Sequence, residues 1–140
     1  MEQNSLTAHK YFTGASEKFD YFISAIITAT LAYLGQQASF SPIGFNVSTI
    51  NLLSIIIFAI SGFASFKRIE TSIIHHRLNY EYLKFTEENC IELADKNSSG
   101  MYVVARNAAF WYRIRNICLL MGFLSYIVAK LLYAYTTNAT

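Results

Sequence analysis

The stretch STINLLSIIIFAISGFASF, Ser48–Phe66, decides the fold, because it contains no charged side chain. It continues into KRIETSIIHHRLNYEYLKFTEENCIELAD, which ends at Asp95, contains no Pro or Gly and is charged with a helical repeat. One helix over this whole length would rise about 70 Å, whereas the hydrocarbon core of a bilayer is about 30 Å thick. The sequence therefore predicts a membrane helix that continues into the cytoplasm as a stalk.

Composition excludes an ordinary soluble domain. The chain has 140 residues, 54% of them hydrophobic and 14% charged, whereas charged residues make up about 25% of average globular chains. The net charge of +2 and the lack of a basic cluster with interleaved aromatics exclude nucleic acid as an expected partner. Two cysteines make no disulfide framework, so Cys90 and Cys118 are expected to be free thiols.

Two further apolar stretches predict two more spans. We expect spans at about 20–36, 48–66 and 116–135, with Ser16 capping the first helix. Pro42 and Gly44 predict a tight turn between the first two spans. The fold prediction is an all-α, integral membrane protein, a single helical domain over 1–140 with three long helices running up-down-up.

The second and third helices are expected to extend into a cytoplasmic helical hairpin at about 67–114, with its turn at Lys96–Gly100. In the stalk, Arg77 with Glu81 and Lys84 with Glu88 have the spacing of helical ion pairs. Apolar groups at helical spacing predict a packing face. It consists of Ile69, Ile73, His76, Tyr80 and Leu83, with Ile74, Leu78 and Phe85 beside them. The returning helix would bury Val103, Val104, Ala108 and Phe110 or Trp111.

Small residues recur at helical spacing in the first two spans. In lipid such a row lets helix backbones approach closely, so it predicts a helix-packing or oligomer face; ordinary Ala and Ser usage is the alternative. The residues are Ser24, Ala25, Thr28, Ala29, Ala32, Ser54, Ser61, Gly62 and Ser65.

Basic and aromatic residues predict the membrane boundaries. Trp111, Tyr112, Arg113 and Arg115 are expected at one interface, where Asp20 would be hydrated. Lys130 is expected to extend towards the other interface, or alternatively to line a polar cavity. Every other Lys and Arg falls on one side of the predicted spans. The positive-inside rule therefore places the N-terminus and stalk in the cytoplasm and the C-terminus outside.

No residue pattern predicts catalysis. His75 and His76 are adjacent, so on a helix they point about 100° apart and do not form a metal-binding pair. We expect no enzyme activity, no metal and no cofactor. The aromatic residues Tyr80, Tyr82 and Phe85 could bind a cytoplasmic protein, or they could simply pack against the returning helix.

The hairpin of two spans, with FKRIE near the membrane and RLNYEYLKFTEE further along, resembles the SLATT family over about residues 16–95. The resemblance implies a small effector of the bacterial inner membrane that self-assembles as a homo-oligomer and forms a pore or perturbs the bilayer in phage defence. A separate sensor protein would activate it. The alternative is a non-catalytic membrane anchor, scaffold or immunity protein whose stalk binds a partner.

Overall fold

Three long helices form the described part of the chain, which confirms the all-α prediction there. The computed structural model describes the backbone of residues 2–38, 44 and 46–138, and side chains from 14 to 135 within those ranges. Helix α1 is Glu2–Gln36, α2 is Val47–Glu87 and α3 is Ile91–Asn138. Helix α2 lies in the middle of the bundle, because α3 packs along it extensively and α1 packs on it over a smaller area.

Helix α1 begins earlier than expected and α2 begins at a side-chain cap. Ser16 lies inside α1 and does not cap it, so that prediction is wrong. Asn46 caps α2, and its Oδ1 accepts a hydrogen bond from the Thr49 N–H at 2.8 Å. The predicted turn residue Gly44 precedes this cap and donates its N–H to Thr49 Oγ1 at 3.2 Å. Pro42 lies outside the described residues.

The hairpin turn lies at Glu88–Cys90, so the prediction of a turn at Lys96–Gly100 is wrong. Asn89 has a φ of 56°, a left-handed conformation that Asn adopts more readily than most side chains. The N–H of Cys90 donates to Phe85 O at 2.9 Å and that of Asn89 to Thr86 O at 3.3 Å, the bond pattern of a Schellman motif. One suitable residue therefore ends α2, and the Ser- and Gly-containing stretch continues as helix within α3.

Helices α2 and α3 are antiparallel. Residues later in α2 contact residues earlier in α3. The pairs that establish this register are Glu81 with Asn97, Arg68 with Ala108, Ser61 with Arg115 and Phe58 with Gly122. The helices approach closely at Gly122, where an added Cβ would lie 3.1 Å from the Phe58 ring. Gly100, in the predicted turn, faces Leu78 in the same way.

Within the described residues, α2 and α3 are the helices long and apolar enough to cross a membrane. Each contains an 18-residue stretch of mean hydropathy 2.0, of which only 28% is buried in α2 and 11% in α3. The core helix of a soluble protein would be mostly buried, so these outward-facing apolar side chains fit a lipid environment better than water. Crossing by α1, whose apolar stretch includes Thr28, Thr30 and Tyr33, stays a prediction.

The stalk packs through one of its two predicted apolar lines. Ile74, Leu78 and Phe85 are half-buried, and Leu78 faces Gly100 on α3. On the other line, Ile73, Tyr80 and Leu83 are 59%, 70% and 53% exposed. Of the predicted α3 partners, Val104, Ala108 and Trp111 are half-buried, whereas Val103 and Phe110 are exposed.

The predicted ion pairs are confirmed, since Arg77 to Glu81 and Lys84 to Glu88 each measure 3.8 Å. Periodicity alone could not choose between the two apolar lines of the stalk, because both carry apolar groups.

Candidate functional site: a buried ion cluster joining the three helices

One carboxylate from α1 binds one arginine from each of the other helices. Asp20 Oδ1 accepts a hydrogen bond from Arg115 Nη1 at 2.6 Å, and its Oδ2 accepts one from Arg68 Nε at 2.8 Å. The Arg115 side chain has no exposed surface, and the Asp20 side chain is 7% exposed. We call Asp20, Arg68, Arg115 and the adjoining Tyr112 the ion cluster.

Tyr112 and two α3 acceptors complete the shell around the arginines. The Tyr112 ring centre lies 4.8 Å from Arg68 Cζ and 5.1 Å from Arg115 Cζ, within the range of cation–π attraction. Arg68 Nη1 donates to Ala108 O at 3.3 Å, and Arg115 Nε donates to Asn116 Oδ1 at 3.2 Å. These contacts leave the buried Arg115 Nη2 without a partner among the described residues.

The ion cluster carries two positive charges and one negative charge in a largely enclosed site. Both guanidinium groups share the single Asp20 carboxylate, so one positive charge has no counterion of its own among the described residues. Removing one partner of a buried pair costs about 3–5 kcal/mol, because the remaining charge is left without compensation. Asp20 is therefore the residue on which the position of α1 depends most strongly.

A small cavity adjoins the ion cluster. It has a volume of about 120 Å³, and its lining residues are Glu17, Asp20, Tyr21, Ile69, Ser72 and Ile73. This volume can hold several water molecules, and the carboxylates and the Ser72 hydroxyl offer them hydrogen-bond partners. The cavity opens beside the Asp20 carboxylate, so water in the cavity could donate hydrogen bonds to this carboxylate.

The α1 residues that face the bundle follow a heptad spacing. Glu17, Asp20, Ser24, Ile27 and Leu34 lie three, four, three and seven residues apart. Glu17 Oε1 lies 2.8 Å from His76 Nε2, and Ser24 Oγ lies 2.6 Å from Ser65 Oγ. We call these five residues the α1 seam. Its contacts are polar at the Glu17 end and apolar at the other end, where Ile27 and Leu34 are buried.

Three serines of α2, Ser54, Ser61 and Ser65, lie inside the bundle with their hydroxyl groups bonded. Ser61 Oγ donates to Arg115 O at 2.9 Å, and Ser54 Oγ donates to Ile50 O at 3.1 Å. In a bundle that crosses lipid, each such bond satisfies a hydroxyl that has no water to bind. The serine face of α2 thus attaches α1 and α3 to the central helix.

The predicted small-residue face divides into an inner and an outer part. Ser54, Ser61, Gly62 and Ser65 are buried between helices of this one chain. On α1, Ser24 reaches Ser65, while four residues remain exposed on the outer side: Ala25, Thr28, Ala29 and Ala32. In the described structure this outer part is exposed, and the Thr28 hydroxyl donates to Ser24 O of its own helix at 2.9 Å.

Arg115 and Asp20 are buried inside the bundle. The Arg115 side chain therefore does not face lipid headgroups, and Asp20 does not have the hydrated, exposed position that was expected. The charged groups are buried because three helices bring opposite charges together there. Of the other predicted interface residues, Arg113 and Tyr112 are exposed and Trp111 is half-buried with its ring against Phe63.

Lys130 is exposed at the opposite end of the bundle. Its Nζ donates to Gln37 Oε1 at 3.2 Å and lies 5.5 Å from the centre of the Tyr126 ring. It also lines a cavity of about 550 Å³ between the three helix ends. This cavity is open and its surface is mostly apolar, so both alternatives for Lys130, reach to an interface and a polar cavity, stay predictions.

Outside the ion cluster, the titratable side chains of the stalk have ordinary structural environments. Burial, and secondarily the neighbouring His76, lower the pKa of His75, so His75 is neutral at physiological pH. Among the described residues, no three His, Cys, Asp or Glu side chains are grouped as metal ligands. Tyr80 is exposed, whereas Tyr82 and Phe85 are half-buried.

Sequence reasoning missed the ion cluster, although one signal pointed to it. Asp20, Arg68 and Arg115 each lie within two residues of the end of a predicted span. Antiparallel spans of similar length bring these ends to one level, where opposite charges can meet. Whether the charged side chains meet depends on the rotation of each helix about its axis. The positions of the span ends in the sequence do not determine this rotation.

Comparison of the chain with protein-family models, with curated proteins and with solved structures finds no match.

Proposed function

We propose that this chain is a multi-pass protein of the bacterial plasma membrane that self-associates in the bilayer and perturbs it or forms a pore. Its N-terminus and hairpin turn would lie in the cytoplasm and its C-terminus outside. The apolar stretches of α2 and α3, with their outward-facing side chains, support a membrane location. The distribution of lysine and arginine supports the orientation.

The observation that carries self-association is the exposed row Ala25, Thr28, Ala29 and Ala32 on α1. Contact between small apolar side chains in lipid gives no hydrophobic stabilisation, since lipid tails are equally apolar. Their advantage is close backbone approach to another helix. Because α2 and α3 leave this row uncovered, a second copy of the chain is the simplest partner for it.

The likeness of residues 16–95 to the SLATT family supports a role as a phage-defence effector with a separate sensor. The absence of a catalytic motif fits an effector that acts physically on the membrane. Under this proposal the sensor would act on the hairpin, which extends beyond the apolar stretches. Activation would change how copies assemble.

Bulky substitutions on the exposed row test self-association. Ala29→Ile, alone or with Thr28→Ile, should shift the purified protein in detergent towards the monomer, measured by light scattering after size-exclusion chromatography. Ala59→Ile is the matched control, because Ala59 is also exposed but lies on α2. The same variants, expressed in bacteria, should reduce the loss of membrane potential that the unaltered chain is expected to cause.

Two results would contradict the proposal. One is an unaltered chain that is monomeric in detergent and in reconstituted vesicles. The other is a membrane potential and growth rate that stay unchanged at high expression.

A second candidate function is a membrane anchor, scaffold or immunity protein. The exposed side chains of Ile73, Tyr80 and Leu83 favour it, because they lie on the part of α2 beyond the apolar stretch. Such a strip on a solvated stalk suits a protein contact. Affinity purification through the hairpin that recovers only the chain itself would argue against this function.

A further inference from the structure

We propose that the end of the bundle around Lys130 binds a phospholipid whose headgroup carries one phosphate and a hydroxyl group, the chemistry of phosphatidylglycerol. The site is the cavity of about 550 Å³ at Lys130, a volume typical of ligand pockets. All three helices contribute to it, with Gln37 after the end of α1, Val47 and Asn51 at the start of α2, and Ala129 and Lys130 on α3. The proposal requires that the helices cross the membrane, but it does not require a pore or an oligomer.

The ammonium group of Lys130 has no side-chain carboxylate at its end of the molecule. All nine Asp and Glu residues of the chain lie in 2–20 and 70–95, so none lies in 21–69 or 96–140. Among the described residues, the Lys130 ammonium contacts the Gln37 amide oxygen at 3.2 Å and the ring of Tyr126, both of which are uncharged. An ammonium has three N–H donors, so two remain there for an anion that enters the cavity.

The depth of the cavity suits the phosphate layer of one leaflet. Gln37 and Val47 each lie one residue outside a predicted span, whereas Lys130 lies five residues inside the end of the third span, a rise of about 7.5 Å. The long side chain of Lys130 covers this distance, since its ammonium reaches Gln37. Lysine side chains near the ends of membrane helices extend in this way towards the interface, so the charge lies at the level of lipid phosphates.

The surface of the cavity favours an amphipathic ligand over a soluble anion. This surface is mostly apolar. Leu53 and Val128, which lie next along α2 and α3 towards the predicted centre of the bilayer, are 50% and 47% exposed. Acyl chains of a lipid can cover such apolar surface, whereas a small soluble phosphate cannot. A lipid therefore combines the anion that Lys130 lacks with the apolar groups that the walls accept.

Asn51 supplies the reason for a hydroxyl group in the headgroup. Its amide oxygen is buried and has no hydrogen-bond partner among the described residues, although the residue lines the cavity. A buried acceptor without a partner costs stability, and the outer torsion of an Asn side chain turns over a broad range at low energy. Rotation of the amide towards the cavity would let a headgroup hydroxyl donate to Asn51 Oδ1, while the phosphate binds Lys130.

Native mass spectrometry of the detergent-solubilised protein, titrated with phosphatidylglycerol, tests the role of the charge. Lys130→Met should weaken binding about tenfold, the effect of losing a hydrogen bond to a charged group, whereas Lys130→Arg should retain binding, since it keeps the charge and the donors. Lys96→Met is the matched control, because Lys96 is exposed near the hairpin turn at the opposite end of the bundle; it should change binding by less than about twofold. Equal losses in Lys130→Met and Lys96→Met would indicate general charge attraction and overturn the proposal.

Val47→Phe tests the role of the cavity, because the larger side chain occupies part of it and leaves every charge in place. Val47 is half-buried at the cavity wall, so the variant should weaken binding. Val103→Phe is the control on the exposed surface of the hairpin and should leave binding unchanged. Circular dichroism checks that both variants stay helical. Unchanged binding in a folded Val47→Phe variant would place the lipid outside the cavity and overturn the proposal.

Competing ligands test the chemistry of the headgroup. Phosphatidylmethanol has the same charge but no headgroup hydroxyl, so it should bind more weakly than phosphatidylglycerol, and Asn51→Ala should abolish this difference. Equal binding of the two lipids by the unaltered chain would overturn the proposed headgroup. Displacement of phosphatidylglycerol by an equal concentration of glycerol phosphate would indicate a soluble ligand instead of a lipid. Because the assay needs only folded protein in detergent, failure of self-association would leave its result unaffected.

Discussion

At the scale of single residues, the ion cluster is the most consequential feature. Among the described residues, Asp20 is the one carboxylate that forms ion pairs with Arg68 and Arg115. The energetic effect of such a group depends on its burial more than on its charge, since water screens exposed pairs. The two carboxylates of the α1 seam, Asp20 and Glu17, allow this to be tested on one helix.

Asp20→Asn should lower the free energy of unfolding by about 3–5 kcal/mol, because it leaves two guanidinium groups without their counterion. Denaturant unfolding in detergent micelles, followed by the fluorescence of Trp111, measures the change. Glu17→Gln is the matched control, since the Glu17–His76 pair is 44% and 42% exposed; its effect should stay below about 1 kcal/mol. Equal losses in both variants would show that the ion cluster does not hold α1.

Gly122→Ala should also destabilise the bundle, by about 1–2 kcal/mol net, because the new Cβ would lie 3.1 Å from the ring of Phe58, which is itself buried and has little room to shift. This cost exceeds the helix-propensity gain of up to about 1 kcal/mol. Gly35→Ala is the control, since an added Cβ there meets nothing within 4 Å. Alanine favours helix over glycine by up to about 1 kcal/mol, so this variant should be neutral or more stable. The same unfolding assay compares them, and a stabilised Gly122→Ala would contradict the α2–α3 register.

At the scale of elements, α1 differs from the other two helices in how it is held. Helices α2 and α3 pack along much of their length, whereas α1 packs over a smaller area. Helix α1 has the Glu17–His76, Asp20–arginine and Ser24–Ser65 contacts at one end, and the buried Ile27 and Leu34 at the other. Ion pairs and hydrogen bonds require specific distances and angles, so these polar contacts fix the rotation of α1 more closely than apolar packing does.

A disulfide should form readily between Ser24→Cys and Ser65→Cys, because their hydroxyl oxygens lie 2.6 Å apart and disulfides need closely facing β-carbons. The substitutions go into a chain with Cys90→Ser and Cys118→Ala. Intact mass after alkylation of free thiols reports bond formation. Thr30→Cys with Ser65→Cys is the control, because Thr30 lies six residues beyond Ser24 on α1, a rise of about 9 Å. Preferential crosslinking of this control pair would refute the α1 register.

At the scale of the whole molecule, orientation is the property on which both functional proposals depend. The hairpin turn carries the exposed thiol of Cys90, whereas Cys118 is half-buried within the apolar stretch of α3. Gly44 is exposed near the opposite end of α2. The molecule therefore offers natural positions for probes on both predicted sides of the membrane.

Cys90 in a Cys118→Ala chain should react with a membrane-impermeant maleimide only after cells are lysed, because the hairpin turn is expected in the cytoplasm. Gly44→Cys in a chain without the other cysteines should react in intact cells. Mass spectrometry of the purified protein gives the labelled fraction. Labelling of Cys90 in intact cells would reverse the orientation.

From the sequence alone, one can derive the helical class, the long central helix and the ion pairs Arg77–Glu81 and Lys84–Glu88. These depend on local spacing and on the free energy of transferring side chains from water, which are properties of short segments. The hairpin turn at Asn89, the outward direction of Tyr80 and the enclosure of Arg115 were decided by tertiary structure. Each depends on the rotation of one long helix against another, and apolar residues on nearly every face of these helices leave that rotation unspecified. Close packing at Gly62 and Gly122, together with the pairing of Asp20 with two arginines, selects the rotation, because other rotations would leave buried charges unpaired.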